Sequence, residues 1–171
     1  PRLLAALFLV LAFGVAQQHS RSVIIETYIT GEDHRMLVVD GRLVAVAKRV
    51  PGHVVGDGAH TIAQLVELVN SDPRRGVGHE KVLTRLEFDH QAETLLASRG
   101  YSPATIPAAG EVVYLRSTGN LSTGGTAIDV TDLVHPDNEE MAVRSVKAIG
   151  LDVGGVDFLS PDIAVSYKEN N

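Results

Sequence analysis

Cysteine is absent from the 171-residue sequence. Disulfides, thiolate nucleophiles and zinc sites built on cysteine are therefore excluded. A chain without cysteine suits the cytoplasm, where proteins fold in a reducing environment and disulfides are rare. We accordingly expect a cytoplasmic location.

Clusters of positive charge are also scarce. Lysine and arginine number 15 against 21 aspartate and glutamate residues, and only Lys48–Arg49 and Arg74–Arg75 are adjacent. Nucleic acid binding needs clustered cations that neutralise phosphates, so a net charge of −6 predicts no nucleic acid partner. The 44% hydrophobic and 21% charged residues are typical of one folded domain with a real core.

Long apolar runs are missing too. The stretch Leu3–Ala16 falls short of the roughly 20 residues that a transmembrane helix needs, so we expect no membrane partner. We predict a buried helix over residues 1–18. The alternative is a secretory leader, because Arg2, the apolar stretch and the small residues Gly14–Ala16 also fit that pattern. In that case the chain would be a secreted binding module.

Several common catalytic motifs are not found in the sequence. No GxGxxG opens a helix after a strand, and there is no P-loop, so Rossmann and Walker nucleotide sites are not expected. The seven histidines show no HExxH spacing, which argues against zinc. No nucleophile elbow supports hydrolase chemistry.

Local patterns predict a mixed α/β (α+β) fold with hairpins rather than a regular βαβ alternation. Asp40–Gly41 is a strong hairpin signal between two apolar runs, because both residues tolerate positive φ. Thr61 and Gln64 form a possible capping box, and Asp89 can cap a further helix. The expected strands are Ser22–Ile29, Arg35–Val39, Leu43–Ala47, Glu111–Leu115 and Leu151–Leu159; the expected helices are Thr61–Asn70, Asp89–Ser98 and Pro136–Ile149; the expected loops are 50–59, 71–79 and 101–110.

The segment Leu115–Thr126 combines one cation with small hydrogen-bonding side chains and three glycines, directly after a predicted strand. Glycines let backbone N–H groups converge on an anion, and arginine offers a planar fork of donors. The segment, called the glycine loop below, therefore suits ATP phosphates or an acidic substrate.

Three segments in order, 23–35, the glycine loop and 150–158, resemble the ATP-grasp carboxylate–amine ligases. Within that superfamily the chain is most similar to the central domain of the cyanophycin synthetase family, over roughly residues 12–168. The segments Gly78–Leu83 and Asn120–Asp132 support this similarity, and Asn120–Thr126 favours this family over other ATP-grasp ligases. The resemblance implies a partial ATP-grasp fold over residues 19–171, with a mixed, largely antiparallel sheet flanked by helices. We expect the chain to be a fragment of such a protein, truncated at both ends.

The resemblance also implies a function and its partners. The family uses ATP and Mg²⁺ to add aspartate to a cyanophycin primer through an acyl phosphate. A Mur-ligase-like domain of the parent chain adds arginine, and the family tends to form homo-oligomers. The alternatives are another ATP-grasp amino-acid ligase and a non-catalytic, truncated nucleotide-binding fragment. We expect the isolated 171-residue chain to be inactive as a ligase.

The site residues implied by the resemblance fall into three groups. The catalytic candidates are Arg116 and Asn120, and the metal candidate is Asp157, which follows two glycines that would keep the backbone clear of the nucleotide. Arg35 and either Lys48 or Arg49 would point into one shared cleft, and Asp33, Arg116 and Asp157 would face one common cleft that binds a magnesium-bound nucleotide. His79 and His135 are further substrate contacts or structural residues. The expected ATP-binding set is Glu26, Tyr28 and Ile29 at the adenine, Asp33 at the ribose, and Arg35, Lys48, Arg49, Ser122, Gly124 and Gly125 at the phosphates or carboxylate.

Overall fold

The computed structural model describes residues 2–27, 29–78 and 80–169, with side chains described from residue 9 onwards. The described part holds helices α1 (Arg2–Gln17), α2 (Ile62–Asn70), α3 (His90–Ser98) and α4 (Pro136–Ile149). Its strands are β1 (Glu32–Val39), β2 (Arg42–Val50), β3 (His53–Val55), β4 (Arg75–Gly76), β5 (Leu83–Thr84), β6 (Val112–Tyr114), β7 (Thr126–Asp129) and β8 (Val153–Ser160).

Strands β1 and β2 form the predicted hairpin, and both are longer than predicted. Asp40 has a φ of 48° and Gly41 a φ of 70°, so the two-residue turn is of the kind that matches the twist of an antiparallel pair. The hairpin is the centre of a four-stranded sheet with the order β7-β2-β1-β8, in which every neighbouring pair is antiparallel.

One face of this sheet is covered by α4 and the segment that follows β8. Met36, Val38 and Val46 of the hairpin are buried there against Ala142 and Val146 of the helix. Side chains in a strand alternate between faces, so the residues between these point to the opposite side. That opposite side, called the open face below, has exposed and half-buried side chains such as those of Arg35 and Asp157.

A second core lies between α2, α3 and the antiparallel pair β3–β6. The predicted capping box of α2 is present: the Thr61 hydroxyl accepts from the Gln64 N–H, and the Gln64 side chain accepts from the Thr61 N–H. Asp89 caps α3 as predicted, by accepting from the Ala92 N–H at 3.0 Å. Local hydrogen-bonding chemistry therefore determines where both helices begin.

The strand predicted at Ser22–Ile29 is wrong. The described residues of this segment are not in a strand, and Ile24 and Ile25 are 83% and 64% exposed. β-Branched residues favour a strand only if a neighbouring strand pairs with it, and the two edge strands of the sheet, β7 and β8, leave this segment unpaired.

Burial of the first helix is also not found. A helix occupies Arg2–Gln17, but Leu9, Val10 and Leu11 are each more than half exposed. Within the described part of the chain, no helix combines the length and apolar character needed to cross a bilayer. The loops expected at 50–59 and 71–79 contain the short strands β3 and β4, whose two or three residues are too few for a visible alternation.

Candidate active-site cleft

A cleft of about 510 Å³ lies between the open face of the sheet, the glycine loop and the segment around β5. The hairpin supplies its floor, and Asn120 and Ser122 form one wall. Lys81 and Thr84 form the other wall. The full lining is Arg35, Ala47, Arg49, Lys81, Val82, Thr84, Asn120, Leu121, Ser122 and Ala127.

Four charged side chains from three strands are joined on the open face. Register places Asp33 opposite Arg49 and Arg35 opposite Asp157. The Arg49 guanidinium reaches both carboxylates, with Nη2 at 2.6 Å from Asp33 Oδ1 and 3.1 Å from Asp157 Oδ1, and Arg35 Nε lies 2.8 Å from the same Asp157 oxygen. The hydrogen bond that Arg49 donates to Asp33 raises the pKa of Arg49 above its ordinary value. Four of the predicted site residues thus form one network.

Lys48 does not join this network, although it is adjacent to Arg49. It lies opposite His34 in the register and forms an ion pair with Glu32, on the face that packs against α4. His34 is fully buried there, and burial lowers the pKa of its imidazole. Of the two alternatives for the cleft, the structure therefore favours Arg49 over Lys48, because consecutive residues of a strand point to opposite faces.

The glycine loop approaches the sheet so closely at Gly119 and Gly125 that no side chain fits at these two positions. A Cβ on Gly119 would lie 2.7 Å from the Arg49 Cβ, and one on Gly125 would lie 2.9 Å from the Val50 carbonyl oxygen. The predicted anion-binding amides are engaged within the loop: Gly124 N–H donates to Leu121 O at 3.3 Å, and Gly125 N–H donates to Asn120 O at 3.1 Å. In this structure the loop therefore contributes Asn120 and Ser122 to the cleft rather than the Gly124 and Gly125 amides.

Arg116 is placed elsewhere. It is 4% exposed and does not line the cleft; its Nη2 donates to Asp89 Oδ2 at 3.0 Å, and its Nη1 donates to the Leu115 carbonyl. Hydrogen bonds from the α3 N-terminus, first of all that of Ala92, and the charge of Arg116 lower the pKa of Asp89. The expectation that Arg116 shares a cleft with Asp33 and Asp157 is not met in this arrangement.

The two glycines before Asp157 have a different role from the predicted one. A Cβ on Gly154 would lie 2.7 Å from Val146 of α4, and a Cβ on Gly155 would lie 2.8 Å from Nη1 of Arg35. Because these two residues have no side chains, the backbone makes room for α4 on one face of the sheet and for Arg35 on the other. The sequence had predicted that the glycines would instead give clearance for a nucleotide.

Asp157 and Asp33 contact the two arginines that line the cleft and are the candidate carboxylates for a metal ion. The described residues contain no group of three or more metal-binding side chains. Magnesium, however, takes one or two carboxylates when phosphates and water supply the remaining oxygens. Two carboxylates that contact the same guanidinium fit that requirement, provided that the ion replaces Arg35 or Arg49 as their partner.

The predicted adenine-binding segment is not built into the cleft. Glu26 and Ile29 are exposed and lie outside any strand, and Tyr28 lies outside the described residues. His79 is outside them as well, while His135 caps α4 by accepting from the Asp137 N–H at 3.1 Å. Their roles at ATP or substrate stay predictions.

Sequence reasoning missed the second wall of the cleft. Lys81 and Thr84 were not among the predicted site residues, yet both line the cavity. No ion pair to Lys81 is found among the described residues, so its charge is available to a ligand. The segment 78–83 is part of the similarity to the cyanophycin synthetase family, and this similarity could have indicated the wall.

Comparison with known proteins agrees with this architecture. The chain is 53% identical over 158 residues to cyanophycin synthetase of Trichormus variabilis, covering 92% of the chain and 18% of that protein. It is 38% identical over 160 residues to the glutathione biosynthesis bifunctional protein GshAB of Clostridium perfringens, covering 94% of the chain and 21% of that protein. The crystal structure of a bifunctional glutathione synthetase from Pasteurella multocida superposes with a TM-score of 0.71 at 37% identity, over 81% of the chain and 19% of that structure. No family model matches the chain.

The chain thus matches an ATP-grasp glutathione synthetase in fold, with a mostly antiparallel sheet flanked by helices, and the predicted fold class is confirmed. The chain spans about a fifth of the length of the relatives it matches. Within this class it corresponds to one segment of cyanophycin synthetase, as the sequence resemblance predicted.

Proposed function

We propose that the chain forms the part of an ATP-dependent ligase that binds Mg²⁺–ATP and the carboxylate substrate, and that the parent protein adds aspartate to the backbone of cyanophycin. The observation that supports this most is the network of Arg35, Arg49, Asp33 and Asp157 on the open face of the sheet, whose two arginines line the cleft. Acids suit a metal ion and a ribose, and arginines suit phosphate or carboxylate oxygens.

The proposed reaction has two steps. A carboxylate oxygen at the end of the primer attacks the γ-phosphorus of ATP, the bond to the β-phosphate oxygen breaks, and ADP leaves. The amine of aspartate then attacks the carbonyl carbon of the acyl phosphate, loses a proton and displaces phosphate, which leaves an amide. Such transfers depend on positioning and charge neutralisation more than on a protein nucleophile.

Each side chain has a proposed part in positioning. Asp157 would hold Mg²⁺, which when bound neutralises phosphate charge, and Asp33 would accept hydrogen bonds from the ribose hydroxyls. Arg35 and Arg49 would turn from these carboxylates to phosphate or substrate oxygens, with Asn120 and Ser122 on the wall beside them. Further proposed contacts are Glu26, Tyr28 and Ile29 at the adenine, and Gly124 and Gly125 at the phosphates.

Arg116 would bind the backbone carboxylate of the primer. In the structure the Arg116 guanidinium is paired with the Asp89 carboxylate, so this role requires that the primer carboxylate replace Asp89 as its partner. Asp89 is half exposed and its charge is screened by water, so it can be displaced, but Arg116 is only 4% exposed and its surroundings must also open before an anionic substrate reaches the guanidinium.

A second candidate is an ATP-grasp ligase that joins a different amino acid. It is favoured by the 38% identity to GshAB and by the superposition with a glutathione synthetase. The amine substrate separates the two candidates, since only the first requires aspartate and a cyanophycin primer. A cytoplasmic location, association with further copies and a Mur-ligase-like domain in the parent chain belong to the first candidate.

The test is a segment replacement. The 158-residue matching segment of Trichormus variabilis cyanophycin synthetase would be replaced by the segment of this chain, and phosphate release would be measured with ATP, Mg²⁺, aspartate and primer. We expect release only when all four are present, and loss of release on Asp157→Ala. The unmodified relative is the positive control.

Three other outcomes would contradict the proposal. A folded replacement protein without phosphate release would mean that the segment no longer supports catalysis. Phosphate release that does not depend on aspartate and primer but does depend on another amino acid would favour the second candidate. Release unaffected by Asp157→Ala would reject the proposed metal site.

A further inference from the structure

The guanidinium of Arg75 donates its hydrogen bonds to backbone carbonyls rather than to a carboxylate. Its Nη1 donates to the carbonyl oxygen of Thr84 at 2.6 Å and to that of Gly124 at 3.2 Å. These acceptors are 9 and 49 residues away along the chain. Arg75 is half buried, and no carboxylate forms an ion pair with it among the described residues. Because a buried cation is costly unless its donors are satisfied, this arrangement indicates a specific bracing contact.

The neighbouring Arg74 shows the opposite behaviour. Its side chain is 70% exposed and its guanidinium donates to both oxygens of Asp72, two residues away. Exposed local pairs of this kind contribute little to stability. The two adjacent arginines therefore form a matched pair, of which only Arg75 connects distant segments.

The carbonyl that Arg75 holds belongs to the most constrained point of the glycine loop. Gly124 has a φ of +91°, and a Cβ there would lie 2.5 Å from Cδ2 of Leu86. Leu86 is itself fixed by Asn70, which accepts from its N–H at 2.8 Å and donates to its carbonyl at 2.9 Å. Gly124 is thus held by two residues: Arg75 binds its carbonyl oxygen, and the side chain of Leu86 packs where a Cβ would lie.

The two segments that Arg75 joins are the two walls of the cleft. Thr84 lies on one wall with Lys81, and Gly124 ends the turn that carries Asn120 and Ser122 on the other. Arg75 is not itself in the lining. Its position behind both walls means that the contact sets the distance between them without touching a ligand.

We propose that Arg75 is a positioning residue that fixes the glycine loop against the Lys81–Thr84 segment and so sets the width of the substrate cleft. This inference rests on the proposed function for its catalytic consequence, but its structural part stands on the 171-residue chain alone. Arg75 acts through Asn120 and Ser122, so a change at Arg75 alters the binding of a ligand between the walls more than the chemical step.

The first test is amide hydrogen exchange in the 171-residue chain. We expect Arg75→Gln to speed exchange of the Gly124 and Gly125 amides at least several-fold and to leave the amides of α4 unchanged, because the brace is local. Arg75→Lys keeps a cation that can donate to the carbonyls and should give intermediate rates. Arg74→Gln is the control and should match the native chain.

The second test is kinetic, in the segment-replacement protein described above. We expect Arg75→Gln to raise the KM for the primer about tenfold with a much smaller change in kcat, because a displaced wall weakens binding. Arg75→Lys should recover part of that loss, and Arg74→Gln should change neither constant.

The outcomes of the two tests separate this inference from the proposed function. If the replacement protein is inactive, the proposed function fails while hydrogen exchange still decides the role of Arg75. Exchange and KM equal to those of Arg74→Gln would overturn the inference. Exchange that rises in α4 as much as in the loop would overturn it too, because Arg75 would then only support the whole fold.

Discussion

Asp33 and Asp157 contact the same guanidinium but differ in their surroundings. Asp33 has a side-chain exposure of 25% and Asp157 of 57%, and the Arg49 between them is only 16% exposed. A charged hydrogen bond is worth more where water competes less for the partners. Asp33 is therefore the main structural partner of Arg49, and Asp157 is the carboxylate that is freer to change partners.

This difference predicts unequal costs of neutralisation. Asp33→Asn should lower the free energy of unfolding by about 1.5 kcal/mol, because it weakens a charged hydrogen bond to a largely buried arginine. Asp157→Asn should change it by less than about 0.5 kcal/mol, since its ion pairs face solvent. Urea denaturation of both variants measures the two values. Equal costs would contradict the assignment of Asp33 as the main partner.

The charged residues of the open face and Arg116 differ in how far the sequence could predict their partners. Asp33, Arg35, Arg49 and Asp157 were all singled out by the resemblance, and the register brings them together. Lys48 could have been assigned to the other face from its adjacency to Arg49 alone. The pairing of Arg116 with Asp89 could not be read from the sequence, because it depends on where α3 begins in space.

At the scale of elements, α4 and the sheet depend on one glycine. Gly154 of β8 lies beneath Val146 of α4, whereas Gly155 lies beneath the exposed side chain of Arg35. A methyl group on Gly154 must push against a buried, branched side chain, and a methyl group on Gly155 meets a flexible one. The loss of folding free energy caused by an added Cβ therefore differs between these two adjacent positions.

Gly154→Ala should accordingly lower the free energy of unfolding by about 1–3 kcal/mol through overpacking. The matched control, Gly155→Ala, should cost clearly less because Arg35 can move aside. Thermal or urea unfolding of the two variants gives the comparison. If Gly155→Ala were the more damaging change, the packing of α4 on Gly154 would not be the limiting contact.

Elements with a local cause were predicted well. The Asp40–Gly41 turn, the Thr61–Gln64 capping box and the Asp89 cap each depend on residues within four positions of one another. The strand prediction for the segment 22–29 failed for the opposite reason. A strand needs a partner strand from a distant part of the chain, and the apolar residues of this segment show only that it could be buried.

On the scale of the whole molecule, the two buried clusters of the described residues draw nothing from before Met36. One cluster lies between α2, α3, β3 and β6, and the other between the sheet, α4 and the segment up to Ile163. The segment after β8 matters to the second cluster, since buried Asn138 donates to the carbonyls of Ile163 and Val165 and accepts from the Tyr167 N–H.

Two truncations should therefore behave differently. Removal of residues 1–30 should change the free energy of unfolding by less than about 0.5 kcal/mol, because it removes no residue of either cluster. Removal of residues 162–171 should lower it by about 3 kcal/mol or more, because Ile163 is lost from the core and Asn138 is left buried without its partners. Denaturation curves of both chains test this, and a large loss from the first truncation would show that α1 supports the fold.

The sequence by itself determined the local elements, the hairpin at the centre of the sheet and the class of protein, because caps, turns and family wording depend on residues that are close in the chain. Only the tertiary structure decided which charged groups meet, that Arg116 faces Asp89, and that Arg75 joins the two walls of the cleft. These contacts connect segments up to 122 residues apart, and their partners are selected by strand register and helix packing rather than by any pattern along the chain.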